Sequence, residues 1–269
     1  MTVPSASPPK LYKSQRFASL RAIGALVLRE MSTSYGRSPG GYLWALLEPL
    51  AGIALMTVVF SAVFRSPPLG NNFPIFYATG MLPFTLFNSM HNKIAQSLGY
   101  SRPLLAYPTV TYLDAILARF ILNVMTQFMV AYLVFSGMLL VFETRTTLDL
   151  PVIIEAFGLT ALLALGLGTL NCYFFTRFEV WRFAWSIMMR PMFIISGIFF
   201  LFENMPTPYQ PYLLWNPMLH LISLTRRGFY ANYDAIYVSK TYVLVVALSS
   251  LAFGLVLLRR HHRDLLNNR

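Results

Sequence analysis

The chain has 269 residues, 56% of them hydrophobic and only 12% charged, with a mean hydropathy of +0.56. A soluble domain carries about 25% charged residues, so this composition excludes a soluble enzyme and leaves room for one membrane domain. The net charge of +11 does not point to nucleic acid, because Lys and Arg flank apolar runs and form no stripe on a soluble face.

In chain order, residues 1–16 are Pro/Ser-rich and basic and read as a flexible tail without the apolar core of a secretory signal. Residues 17–41 are expected to hold an interfacial amphipathic helix. Phe17, Leu20, Gly24, Val27, Met31 and Tyr35 recur at helical spacing beside a stripe of Arg21, Ala25, Arg29 and Ser32. Ser38-Pro39-Gly40-Gly41 ends it. Six apolar stretches follow, at 42–64, 73–98, 113–142, 151–175, 183–202 and 242–258. A hydrocarbon core about 30 Å thick needs roughly 20 apolar residues per crossing helix. Backbone groups in lipid must pair within the segment, so each stretch is helical. The expected fold class is an all-α membrane protein with six transmembrane helices over 42–258 and a basic tail at 259–269.

The connections carry their own signals. Residues 99–112 form a linker with Pro103 and Pro108, 143–150 a polar turn and 176–182 a charged one. Residues 203–241 are too many for a structureless connection. Within them Trp215–Tyr230 is amphipathic, with Asn216 placed to cap, Pro217 at the first helical position and Gly228 just past the last turn. This segment is expected to form re-entrant helices dipping into the outer leaflet. Of the 21 Lys and Arg residues, 15 fall on the side of the N-terminus, five on the other, and Arg190 lies inside a span. The positive-inside rule then puts both termini in the cytoplasm.

Catalytic chemistry finds no support. GxxxxGK[ST] and GxSxG are missing, and His261-His262 has no accompanying ligand set, so no metal or cofactor site is expected. Asp114 and Glu155 form no evident acid pair. Gly158, Gly166 and Gly168 are expected to allow close helix packing. Cys172 is the single cysteine and excludes an intramolecular disulfide.

The ordering of pieces is specific. A basic interfacial helix precedes GYLWALLEP (Gly41–Pro49). A Tyr-Pro linker leads into Asp114 and Ala118-Arg119, Arg190-Pro191 opens a segment ending ISGIFF, and LLWNPMLHLISLTRRGF lies before the last span. From about residue 17 to 260 the chain resembles the ABC-2 type permeases, specifically the inner-membrane component of capsular polysaccharide exporters. The resemblance implies a homodimer that pairs with two copies of a separate cytoplasmic ABC ATPase, where ATP and Mg are bound. It further implies a lipid-linked polysaccharide substrate, a periplasmic adaptor, an outer-membrane channel and residence in a bacterial inner membrane. It places ATPase docking on 99–112, with Arg102, Tyr107 and Pro108, and on the interfacial helix with Arg21, Arg29 and Arg37. Binding of these arginines to anionic lipid headgroups is the competing account.

Charges inside a membrane usually face a cavity or a partner. Glu48 lies one turn after Trp44, so the two share a face; with Tyr42 they suit either a glycan-tolerant path or an interfacial aromatic belt. Arg190 suits an acidic sugar or phosphate in that path, or a structural pair with Glu48. Trp181 and Trp185, with Arg182, are weaker candidates for the path entrance. Export of O-antigen or teichoic-acid polymers is the nearest alternative function. An ion-coupled secondary transporter is the more distant one, since neither an internal repeat nor a carboxylate chain is present.

Overall fold

The computed structural model describes residues 18–34, 40–105, 110–142 and 148–267. The N-terminal tail, Phe17, Tyr35, Arg37, Tyr107, Pro108 and the 143–147 part of the expected polar turn lie outside the described residues. Among the described residues every regular element is helical: α1 (Ala18–Ser34), α2 (Gly41–Val63), α3 (Phe73–Ala95), α4 (Ser97–Leu105), α5 (Tyr112–Val141), α6 (Leu150–Arg177) and α7 (Glu179–Ile195). A 3₁₀ turn (Phe202–Asn204) then leads to α8 (Gln210–Leu213), α9 (Pro217–Phe229) and α10 (Lys240–Asn267).

Several helices begin where their side chains can satisfy the first backbone N–H groups. Thr111 Oγ1 accepts the Asp114 N–H at 3.2 Å and the Asp114 carboxylate accepts the Thr111 N–H at 2.9 Å, a capping box that starts α5. Asp149 accepts from the Val152 N–H at 3.4 Å ahead of α6, with a proline in the first turn. Asn216 accepts from the Met218 N–H at 3.0 Å, as the sequence predicts, and its amide also donates to Ser196 Oγ at 3.1 Å. The same side chain therefore starts α9 and ties it to the end of α7.

Four helical segments are long and apolar enough to cross a membrane: Leu43–Val63, Tyr112–Val141, Leu150–Arg177 and Lys240–His261. The stretches expected to supply two more differ in kind. Helix α3 mixes Pro74, Tyr77, Pro83 and Asn88 among its apolar residues, and α7 has only 17 residues, including Arg182 and Arg190. Helix α3 spends its apolar side chains on protein, with Phe76, Ala78, Met90 and Ile94 fully buried.

Helix α6 is the packing centre and lies against α10, α3 and α9. Glycine makes these approaches possible. A Cβ at Gly166 would sit 2.2 Å from the Ala247 carbonyl oxygen of α10, and one at Gly254 would sit 2.6 Å from the Leu170 nitrogen of α6. A Cβ at Gly168 would stand 2.9 Å from Ile94 of α3. The expectation of close packing holds at Gly166 and Gly168 but not at Gly158, where a Cβ would meet nothing within 4 Å.

One expectation for the 215–230 segment is corrected. Gly228 lies inside the last turn of α9, not beyond it. Its place is set by contact with α6: a Cβ there would meet Ile153 Cγ1 at 2.6 Å, and its carbonyl accepts the Asp149 N–H at 2.9 Å. Arg226, two residues earlier in α9, is 1% exposed. Its guanidinium donates to the carbonyls of Ile198 at 2.8 Å and Phe200 at 3.0 Å and lies 4.1 Å over the Phe76 ring. Burial lowers its pKa to about 10, so it stays charged at neutral pH. Arg226 thus holds the irregular 197–202 stretch against α3 and α9.

Replacing Gly166 by Ala forces α10 away from α6 and lowers stability by about 1–3 kcal/mol. Thermal unfolding in detergent reads this as a lower Tm, and Gly158→Ala serves as the control that produces no loss. Arg226→Met strands two buried carbonyls and costs about 2–4 kcal/mol; the same melts should show the larger fall for this variant, with Arg226→Lys intermediate.

Candidate functional site

Three regions gather the polar and aromatic residues, and the first is the corner where α1 meets α4 and α5. Arg119 of α5 is buried; its Nε donates to Glu30 Oε2 at 3.0 Å and its Nη1 to the Lys93 carbonyl at 2.6 Å. Its guanidinium lies 4.1 Å over the Tyr100 ring of α4, which Arg29 also approaches at 5.4 Å. Ser19 hydrogen-bonds the Asp114 carboxylate and Thr33 the Tyr100 hydroxyl. The helix expected to lie beside the headgroups is therefore fastened to protein along its length. Arg21 is exposed, Arg29 half-buried, and Arg102 half-buried in an adjoining cleft of about 360 Å³ shared with Gln96, Thr176 and Arg182. Sequence reasoning missed Glu30, although it is the single acid in a basic helix and so the natural counter-charge for a buried arginine.

The second region joins α3, α6 and α7. Trp181 Nε1 donates to Asn171 Oδ1 at 2.8 Å, and the Asn171 amide donates to His91 Nε2 at 2.9 Å. The neutral ring then carries its proton on Nδ1, which has no partner among the described residues. Trp185 is buried and stacks on His91 with ring centres 4.7 Å apart. Arg182 donates to Gln96 Oε1 at 2.9 Å. Arg190 is exposed and borders a cleft between α3 and α7. His91 and Asn171 were not singled out from sequence, because a polar side chain gives no hint of its neighbour in another helix.

The third region is the outer face of α2. Trp44 and Glu48 share a face as their spacing requires, and with Leu47, Leu50, Ala51 and Ala54 they line one open recess. The side chain of Tyr42, within the same helix, lies outside the described residues. Glu48 does not pair with Arg190: among the described residues the ion pairs are Glu30–Arg119 and Glu155–Lys240, the latter at 2.6 Å. Asp114 and Glu155 are likewise engaged separately, one in the α5 cap and one with Lys240.

Sequence comparison with known proteins reaches over most of the chain. The family described as "ABC-2 type transporter" matches residues 21–230. The polysialic acid transport protein KpsM of Escherichia coli is 28% identical over 246 residues, covering 91% of this chain and 95% of KpsM. The capsule polysaccharide export inner-membrane protein CtrC of Neisseria meningitidis serogroup A is 30% identical over 256 residues, covering 93% and 96%. The capsule polysaccharide export inner-membrane protein BexB of Haemophilus influenzae is 27% identical over 245 residues, covering 91% and 92%. A family match that reaches from α1 to the end of α9, with relatives alike over nearly their whole length, makes this chain a member of the ABC-2 type transporter family.

Proposed function

We propose that this chain is the permease subunit of an ATP-driven exporter that moves lipid-linked capsular polysaccharide across a bacterial inner membrane. The observation that carries the reading is the near-full-length likeness to proteins named for capsule polysaccharide export. In this reading two copies of the chain form the permease and two copies of a separate ATPase bind its cytoplasmic side. Helices α3 and α7 complete six spans, α9 dips into the outer leaflet, and both termini face the cytoplasm. The charge asymmetry of the chain supports that orientation. The exposed apolar face of α2, with Leu55, Val58 and Val59, supports contact with a second copy.

ATP hydrolysis belongs to the partner; this chain contributes docking, two conformations and a lining that tolerates glycan. Helix α4 and Arg102, with Tyr107 and Pro108 just beyond, form the contact with the ATPase, and α1 with Arg21, Arg29 and Arg37 flanks it. Motion delivered to α4 reaches α5 through Arg119, which holds the Lys93 carbonyl, the Tyr100 ring and Glu30 at once. Trp44, Glu48 and Tyr42 on α2, and Trp181, Trp185 and Arg190 on α7, contribute to the path. Residues 203–241 face outward, where a periplasmic adaptor leading to an outer-membrane channel would sit.

Purification of the tagged chain from its host is expected to recover a stoichiometric ABC ATPase whose activity rises in the complex; recovery of none would sink the exporter. Glu30→Gln leaves Arg119 buried without its counter-charge, at a cost of about 3–5 kcal/mol. The amount of ATPase recovered per permease is expected to drop in this variant. Recovery should return in large part in the double variant Glu30→Gln/Arg119→Met, which removes both charges.

A further inference from the structure

Helix α3 carries Asn88 and Asn92, and Gln96 follows at its C-cap, so three amides stand four residues apart on one face. Helix α7 carries Arg182, Ser186 and Arg190 at the same interval. The contacts between the two helices run in opposite order along them: Gln96 meets Arg182 at 2.9 Å, His91 stacks on Trp185, and Phe84 meets Phe193 edge-on at 5.1 Å. The helices are therefore antiparallel and the two polar ladders face each other rung by rung.

Between the rungs is a cleft of about 420 Å³ bordered by Asn88, Asn92, Ser186 and Arg190, with Trp185 and Met189 among its apolar residues. The Phe84–Phe193 contact lies at one end, and the Arg182–Gln96 hydrogen bond lies one turn beyond Ser186 and Asn92. Beyond that hydrogen bond, Gln96 and Arg182 also border the cleft at the α4 corner that holds Arg102. Asn92 donates to Asn88 Oδ1 at 3.1 Å, which uses one donor and one acceptor and leaves the remaining groups of both amides for a ligand. Arg190 forms no ion pair among the described residues. Facing polar rows of this kind are costly in a membrane chain unless something hydrogen-bonds them.

We propose that the α3–α7 cleft binds an anion-bearing stretch of glycan, with Arg190 meeting a carboxylate or phosphate and Asn88, Asn92 and Ser186 meeting hydroxyls. This names the charge class of the substrate and rests on the exporter reading. A single cation among three neutral hydrogen-bonding side chains suits a hydroxylated chain with spaced negative charge. An anionic lipid headgroup would call for clustered cations instead.

Cys172 is fully buried, so Ser186→Cys supplies one accessible thiol per permease chain, and maleimide labelling read on that chain in the permease–ATPase complex reports on the cleft. The complex is held in phosphatidylcholine nanodiscs, with oligogalacturonate, a dextran oligosaccharide of equal length, or added phosphatidylglycerol as probes. Oligogalacturonate at about ten times its Kd is expected to slow labelling about tenfold, because only the free fraction reacts. Dextran should protect more weakly. Adding Arg190→Gln should weaken oligogalacturonate about tenfold, with Arg190→Lys retaining most of the protection. Equal protection by both sugars, indifferent to Arg190→Gln, overturns the anion subsite; no protection by either, or protection by phosphatidylglycerol alone, overturns the glycan. Asn92→Cys gives the same readout if the Ser186 variant does not assemble. Recovery of the ATPase is scored separately. Protection without an ATPase keeps the cleft and sinks the exporter, and an ATPase without protection does the reverse.

Discussion

A bilayer offers no hydrogen bonds, so every polar group that leaves water must find its partner inside the protein. In this chain that demand decides where helices meet as much as apolar contact does. Arg226 is bound by two carbonyls and an aromatic face, Arg119 by a carboxylate, a carbonyl and another aromatic face. Each arginine holds an irregular or short element, the 197–202 stretch in one case and α4 in the other, against a long helix. Lipid-facing apolar surface alone would not orient these elements, since hydrocarbon is as apolar as leucine and does not favour one packing over another. Directional bonds to a few buried charges, and glycines that admit close backbone approach, supply the specificity that hydrophobicity withholds.

The division of labour between helices follows. Helix α6 meets α10, α3 and α9 through backbone approaches that no larger residue would permit. By contrast α2 buries little beyond Pro49 and Ile53, and α7 little beyond Trp185. The tightly packed set forms a frame and the two loosely held helices border it. Trp44, Glu48, Trp181 and Arg190 all lie on those two helices.

Much of this was legible in the sequence. Apolar runs located α2, α5 and α6 to within a few residues, while α10 continues nine residues past the expected end at Leu258 into the basic tail; Asn216-Pro217 marked the start of α9 because a cap is a local signal. The Trp44–Glu48 face followed from helical spacing alone. What escaped was non-local. Nothing near Glu30 announces that its partner is 89 residues away on α5. Arg226 and Arg227 look alike as neighbours, yet a rotation of about 100° per residue buries one and exposes the other. Gly228 resembled a helix terminator, while its role is set by Ile153 and Asp149 of a different helix. Periodicity is a property of one segment; pairing of polar residues belongs to two.

The placement of Arg226 also bears on how the chain is made. Its bonded partners, Phe76, Ile198 and Phe200, all precede it in the sequence. The two carbonyls and the ring are therefore synthesised before the charge they receive. Glu30 stands the other way round, emerging 89 residues before Arg119, but its helix is short of membrane-spanning character and can wait in water. The order of synthesis thus matches the cost of delay at each site.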